Sequence, residues 1–561
     1  MAATPLVSSL FKNERIRALI AERLGNMTHI APSLYLTPQP PNLSFFSEVT
    51  VAEVHKLIVN CKPKTSPLDY IPTHLLKGCA DTFAPLICHL ANLSFEQGRF
   101  PTSFKLAHIT PLVKKPGLDE DDPSNLRPIS NLNTISKLLE KLAWARIRPS
   151  VIENENFSSL QSGFRPAHST ETALVKVMND ALVAADSKQV TPLLSLDISA
   201  AFDALDHQKL LLRAETDFGI SGSVLQWLSS YLSNRQSYVG LGTFKSSLTL
   251  CTSGVPQGSV LGPFLFSMFV SPIGKLIKNS GASYHQYADD TQIYTAIHPN
   301  TLQPFETIMH CVDLVVRWFL ENGLLINPDK TDAIVLGSRQ QISKLDLSSG
   351  LLVAGTQVSF SNKLKVLGVS LDPTLSMDAH VSEVVRGCNY HIRALRHIRP
   401  CLTDESARII ACGLIGARLD YCNSLLVGVT SRNIIRLQRV QNALARTVLR
   451  APWRASSSTL LQTLHWLPVR QRIEFKIATL TYKVRSSKSP SYLADLLTEY
   501  TPSRTLRSAG HLLLFKPQAN KAIASRTFQH SAPEIWNNLG NTTRSSSSRK
   551  HLKTELFEAA F

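Results

Sequence analysis

The chain has no apolar run approaching the roughly 18 residues a membrane span requires. Its N-terminus has no secretory pattern, because Lys12, Glu14, Arg15 and Arg17 interrupt any apolar stretch. The 9 cysteines are scattered singly, with no Cys-x-x-Cys pair and no Cys/His cluster at zinc-ligand spacing. A membrane partner and a zinc knuckle are therefore not expected, and a reduced intracellular compartment fits. Charged residues make up 18% and apolar residues 43%, which describes a chain with a real core and not a disordered one. No internal repeat is visible.

What is present is an uneven charge. Residues 1–380 carry 32 Lys and Arg against 32 Asp and Glu, whereas residues 381–561 carry 27 against 10. The last third therefore holds the whole net charge of +17. Such an asymmetry marks a polyanion partner, nucleic acid first among them; the competing reading is a solvated basic surface. One segment makes the point locally. Ile434, Leu437, Val440, Leu444 and Val448 step by three or four into an apolar stripe. Arg432, Arg436, Arg439, Arg446 and Arg450 form a cationic stripe on another face, suited to phosphates.

Five regions follow from the patterning. Residues 1–45 are an N-terminal segment and Pro-rich linker, too short for a second enzyme. Residues 46–105 repeat apolar positions at helical spacing. Residues 106–371 alternate β-like and helical runs, residues 372–455 turn helical, and residues 456–561 complete a helical, basic C-terminal region. At 561 residues the length accommodates such a division.

The chemistry lies in three acids. Leu193 to Leu196 read as a buried strand that ends in Asp197. Tyr287-Ala288-Asp289-Asp290-Thr291 reads as a hairpin with adjacent acids at its turn. Neighbouring carboxylates repel, and close to a core that repulsion calls for cations. Magnesium, which prefers oxygen ligands and keeps sites for water and phosphate, suits the role. Asp203 and Asp206 read as helix-start residues and not as ligands.

The order Leu196-Asp197-Ile198-Ser199-Ala200-Ala201-Phe202-Asp203, then Gly254-Val255-Pro256-Gln257-Gly258, then Tyr287-Ala288-Asp289-Asp290 resembles reverse transcriptase motifs A, B and C. Leu126-Arg127-Pro128-Ile129-Ser130 and Gln161-Ser162-Gly163-Phe164-Arg165 resemble the finger motifs. Asn327-Pro328-Asp329-Lys330-Thr331 and Leu367-Gly368-Val369 are similar to motifs D and E. Leu464-His465-Trp466-Leu467-Pro468-Val469 and Pro533-Glu534-Ile535-Trp536-Asn537 point to non-LTR retrotransposons (LINEs) of the chicken-repeat and Jockey type. Telomerases and intron maturases share the palm motifs but carry neither of these segments. The resemblance runs from about residue 46 to the last residue, and the endonuclease such proteins usually carry ahead of the polymerase is not expected here.

The resemblance implies an α+β right-hand polymerase, with fingers, a ferredoxin-like palm, a helical thumb and a helical basic C-terminal region. It implies RNA-directed DNA synthesis with two Mg²⁺ ions, Mn²⁺ being the alternative. Asp197 and Asp289 would hold both ions, Asp290 would support them, and the Ile198 carbonyl would add a ligand. Phe202 would act as a steric gate against the ribose 2′-hydroxyl, while Gln257 and Gly258 would lie along the incoming nucleotide. Lys330 would protonate pyrophosphate. Arg127 and Arg165 would contact triphosphate or template, with Lys114 and Lys115 on nucleic acid. The implied partners are template RNA, a DNA primer or nicked target, and dNTPs. The implied location is nuclear and cytoplasmic, as a ribonucleoprotein. The alternative is a catalytically silent relic that only binds RNA.

Overall fold

The computed structural model describes residues 13–25, 37–122, 125–501, 512–545 and 549–561. In chain order, helices α1 (Val51–Val59) and α2 (Ala80–Glu96) precede strands β1 (Leu106–Val113) and β2 (Leu126–Asn131). Helices α3 (Thr134–Ile152) and α4 (Thr170–Asp186) lead to β3 (Thr191–Leu196) and the short β4 (Ile198–Ser199). Next come α5 (His207–Thr216), α6 (Gly222–Leu232), β5 (Arg235–Leu241), β6 (Thr249–Cys251) and α7 (Gly262–Val270). The hairpin β7 (Ser283–Tyr287) and β8 (Asp290–Tyr294) is followed by α8 (Glu306–Glu321), β9 (Leu325–Ile326) and β10 (Asp332–Leu336). Beyond these the larger elements are helices α9 (Asp378–Ile398), α10 (Ser431–Leu449), α11 (Val469–Ser487) and α12 (Phe528–Asn537).

Two sheets organise the α+β part. In the fingers, β1 pairs antiparallel with β2 and parallel with β5, which in turn pairs with β6. In the palm, the order is β10-β3-β8-β7, antiparallel throughout. Counting only these four strands along the chain gives the order 4-1-3-2, the ferredoxin-like arrangement expected.

The palm sheet is covered on both faces, and its strands show why they are almost wholly apolar. Successive side chains of a strand point to opposite faces. Leu194 and Leu196 of β3, Ile293 of β8, and Ala333 and Val335 of β10 join one core with Phe264, Phe266 and Val315. Leu193, Tyr294, Ile334 and Leu336 join a second core with Leu174, Val177, Met178 and Leu182 of α4. That second core also takes in Leu437, Val440, Leu444 and Val448 of α10, and Val469, Ile473 and Ile477 of α11. The apolar stripe of α10 is therefore buried as its spacing predicts, with Ile434 packed at its margin. Helix α4 begins with a capping box, Ser169 and Thr172 each bonding the other's backbone. Ala214 of α5 is fully buried, so a small residue fills that place in the first core. Among the described residues no helix is long and apolar enough to cross a membrane.

Candidate active site

The hairpin β7–β8 turns over two residues, with Tyr287 paired to Asp290. Strand β3 runs antiparallel beside it, with Leu196 opposite Thr291. One further step along that register sets Asp197 across from Asp290, with Asp289 at the turn. The three acids, which are 92 residues apart in sequence from Asp197 to Asp289, thus meet at one end of the palm sheet. All three are partly exposed. Their proximity has an electrostatic signature. Burial, then the charges of Asp289 and Asp197, push the Asp290 carboxyl up to about 6. Asp289 is raised by burial and by Asp197, and lowered by Arg127. The Lys330 ammonium lies 3.6 Å from Asp197 Oδ2, so motif D reaches motif A directly.

Among the described residues, no three His, Cys, Asp or Glu side chains converge as a complete protein cage for a metal. The donor chemistry still fits a hard cation, because Asp197, Asp289 and Asp290 offer oxygen ligands only. Magnesium sites that serve nucleotides take one or two carboxylates and complete their shell with water and phosphate oxygens. Ile198 follows directly, buried in the short strand β4 opposite Ile326. The Asp197 carbonyl accepts the Asn327 amide at 2.9 Å, which ties the two segments together.

Ala288 occupies the left-handed region at φ 58°, which costs a non-glycine residue about 1–3 kcal/mol unless its surroundings enforce it. The enforcing group is Gln161, a residue that sequence reasoning did not single out. Its Oε1 accepts the Ala288 and Gly163 amides, both at 2.9 Å, and its Nε2 donates to the Ala288 carbonyl at 3.1 Å. Ser162 donates to Gln286 and Gln286 to Leu160, closing a backbone strap under the hairpin. A Cβ on Gly163 would stand 2.4 Å from the Ala288 nitrogen, so the strap admits only glycine there.

The residues expected along the nucleotide form a second unit. Phe202 lies on the turn after β4, with its ring centroid 5.0 Å from that of Phe266 on α7. Its carbonyl accepts the Val255 amide at 2.8 Å. Gly258 sits at φ 136°, where an added Cβ would meet the Ser130 carbonyl at 2.4 Å. The Ser130 amide donates to the Gln257 carbonyl at 2.8 Å. Strand β2, with Arg127, thus docks on the Gln257 loop. Glu140 of α3, also missed in the sequence, is fully buried beneath this loop. Its Oε2 accepts the Val260 and Leu261 amides at 2.7 and 3.1 Å, at the start of α7.

Other expected contacts divide. Arg127, Lys114 and Lys115 are exposed on or beside the finger strands. The Arg165 Nη1 is spent on the carbonyls of Ser158, Ser159 and Gln161, and its guanidinium covers the Phe157 ring at 5.2 Å. It shapes the strap. On α10, Arg432 and Arg439 are exposed. Arg436 bonds Asn433 and Ser382, Arg446 bonds Ser457 and lies over Trp453, and Arg450 bonds the carbonyls of Arg399, Pro400 and Leu402. Asp206 caps α5 as expected, accepting the Lys209 amide at 3.0 Å. Asp203 does not: it sits in the preceding turn and takes a hydrogen bond from Gln257.

Residues 113–371, which span both sheets and all three acids, match the family described as reverse transcriptase (RNA-dependent DNA polymerase). The chain carries a reverse transcriptase domain. Its relatives are polymerases of jockey-like, non-LTR retrotransposons. It is 27% identical over 416 residues to the RNA-directed DNA polymerase from mobile element jockey of Drosophila funebris, covering 72% of this chain and 44% of that one. It is 26% identical over 474 residues to the probable RNA-directed DNA polymerase from transposon BS of Drosophila melanogaster, covering 82% and 51%. The chain spans about half the length of these curated relatives. An apo telomerase structure from Candida tropicalis, truncated from its C-terminal domain, superposes with a TM-score of 0.33 and 14% identity, over 49% of this chain and 54% of that one.

Proposed function

We propose that this reverse transcriptase extends a DNA 3′-end on an RNA template by two-metal nucleotidyl transfer, as a step of non-LTR retrotransposition. The observation that carries the proposal is the strand pairing that brings Asp197 across from the Asp289–Asp290 turn. Asp197 and Asp289 would hold two Mg²⁺ ions, with Asp290 and the Ile198 carbonyl in support and Mn²⁺ as a substitute. Bound there, the ions supply activation of the primer 3′-hydroxyl and charge neutralisation at the leaving pyrophosphate.

The chain's own groups do the rest. Phe202, braced by Phe266, presents an aromatic edge where a ribose 2′-hydroxyl would clash, so dNTPs are selected. Gln257 and Gly258 lie along the incoming nucleotide, and Arg127 faces its triphosphate. Lys330 donates a proton to pyrophosphate. Residues 46–105 extend the fingers, 106–371 form fingers and palm, 372–455 the thumb and 456–561 the basic C-terminal region. Template RNA and a primer or nicked target DNA run along Lys114, Lys115 and the exposed arginines of α10. The working form is a ribonucleoprotein of nucleus and cytoplasm.

Primer extension on poly-rA/oligo-dT with Mg²⁺ tests this. Wild type should incorporate dTTP, and Asp289→Ala Asp290→Ala should lose at least about 1,000-fold of the rate, as removal of charge-stabilising groups does elsewhere. Equal incorporation by both proteins refutes the site. Incorporation by neither favours a silent, RNA-binding relic.

A further inference from the structure

The geometry points to Asp203 as a positioning residue that decides which end of the Gln257 amide faces the nucleotide site. The inference rests on the proposed reading of Gln257 and adds a residue to it.

Gln257 Nε2 donates to Asp203 Oδ2 at 3.0 Å. An ionised carboxylate accepts hydrogen bonds and cannot donate them. The amide must therefore turn its NH₂ toward Asp203 and its carbonyl oxygen outward, where it has no protein partner among the described residues. The surrounding backbone leaves little else free. Gly254 donates to the Leu205 carbonyl at 2.7 Å, Val255 to that of Phe202 at 2.8 Å, and Ser130 to that of Gln257 at 2.8 Å. Ser253 Oγ donates to the Asp203 carbonyl at 3.1 Å. A Cβ on Gly254 would stand 2.6 Å from that same carbonyl oxygen, so the two turns touch without room to slide. With both backbones pinned, the remaining choice is the orientation of the Gln257 amide, and Asp203 makes it.

That choice is reversible. A protonated Asp203 would offer an O–H, which calls for the Gln257 oxygen and turns the NH₂ outward to the nucleotide. Burial pushes the Asp203 carboxyl up to about 6, and the Gln257 hydrogen bond opposes the rise. The other groups packed here are the Ser253 hydroxyl and the His207 ring, whose Nε2 lies 2.7 Å from the Gly254 carbonyl. Among the described residues, burial and the Gln257 hydrogen bond are what act on the Asp203 carboxyl. Above pH 6 the site therefore presents an acceptor, and below it a donor.

The test is equilibrium binding of dTTP with Mg²⁺ to the full chain on poly-rA with a dideoxy-terminated primer, from pH 5 to 8. The variants are Asp203→Asn, which keeps shape but does not titrate, and Gln257→Met, which keeps Asp203 but has no amide. Both are checked for an unchanged melting transition. Titration of the triphosphate is common to all three proteins. We expect wild-type affinity to fall about five-fold more than either variant's on acidification, the scale of one exchanged hydrogen bond. Superimposable profiles for wild type and Asp203→Asn would overturn the inference while leaving the nucleotide site standing. A step that persists in Gln257→Met would overturn it too. Absence of dTTP binding at every pH would remove the nucleotide site and this inference together.

Discussion

At the residue scale, the acids themselves do not hold the β7–β8 hairpin in place; Gln161 does. Among the described residues, every hydrogen bond that fixes the left-handed Ala288 from outside the hairpin comes from its amide. Gln161→Leu keeps the volume and removes those bonds. It should lower primer extension about 100-fold, the loss that follows an ångström-scale misplacement of reacting groups. RNA affinity, read by filter binding, should not change. Gly163→Ala should act in the same direction by steric conflict with the Ala288 nitrogen. Phe202→Ala makes a separate prediction: ribonucleotide incorporation should rise relative to dNTP, measured as a ratio of kcat/KM. Gln161 stood inside a recognisable motif, yet its task was not legible, because its partner lies 127 residues away.

At the element scale, the β7–β8 hairpin carries a pH signature. A carboxyl raised above its ordinary range favours the folded state when protonated, and that contribution is lost as pH climbs through the folded value. For Asp290, pushed to about 6, the loss falls between roughly pH 4 and pH 6. The buried imidazoles of His168 and His285, lowered to about 4 and about 3 by burial, act in the opposite sense, so the informative quantity is a difference. In metal-free protein, the Tm of Asp290→Asn minus that of wild type should grow from pH 4 to pH 7. Mg²⁺ added at pH 7 should then raise the wild-type Tm more than the variant's. Helix α10 makes the second prediction at this scale. The amphipathic spacing located both of its faces, but which arginines are free depends on what packs beside them. Arg432→Glu with Arg439→Glu should reduce the slope of log affinity for single-stranded RNA against log salt by about 1.4, because two phosphates would no longer be neutralised. Changing Arg450, whose guanidinium is bonded to three carbonyls, should lower Tm instead.

At the scale of the whole molecule, the palm and the C-terminal region share a core. Leu174, Val177 and Leu182 of α4 pack in one cluster with Leu461, Ile473, Ile477, Val484 and Phe528. Loss of a single buried Leu or Ile side chain costs about 2–5 kcal/mol, and a domain's total stability is only about 5–15 kcal/mol. Deleting residues 456–561 should therefore abolish the cooperative melting transition and expose surface that binds a hydrophobic dye, beyond any loss of RNA affinity. The charge count alone placed the net positive charge in residues 381–561 and showed nothing of this packing. Arg544 is buried and Arg526 bonds the Val427 and Leu375 carbonyls, and the apolar residues of the region complete the second face of the palm.

The sequence by itself determined what depends on near neighbours. The apolar runs of β3 and β10 follow from burial on both faces, the acids follow from a two-residue turn, and the stripe of α10 follows from a period of three to four. The order of motifs along the chain carried the α+β right hand with them. Only the tertiary structure decided how Gln161 meets Ala288, how Asp203 orients Gln257, how Glu140 reaches Val260, and which arginines are occupied. The first three rest on hydrogen bonds between a side chain and a group 54 to 127 residues away. No local pattern encodes such a partner, because a buried polar group takes whichever complementary atom the completed packing brings within reach.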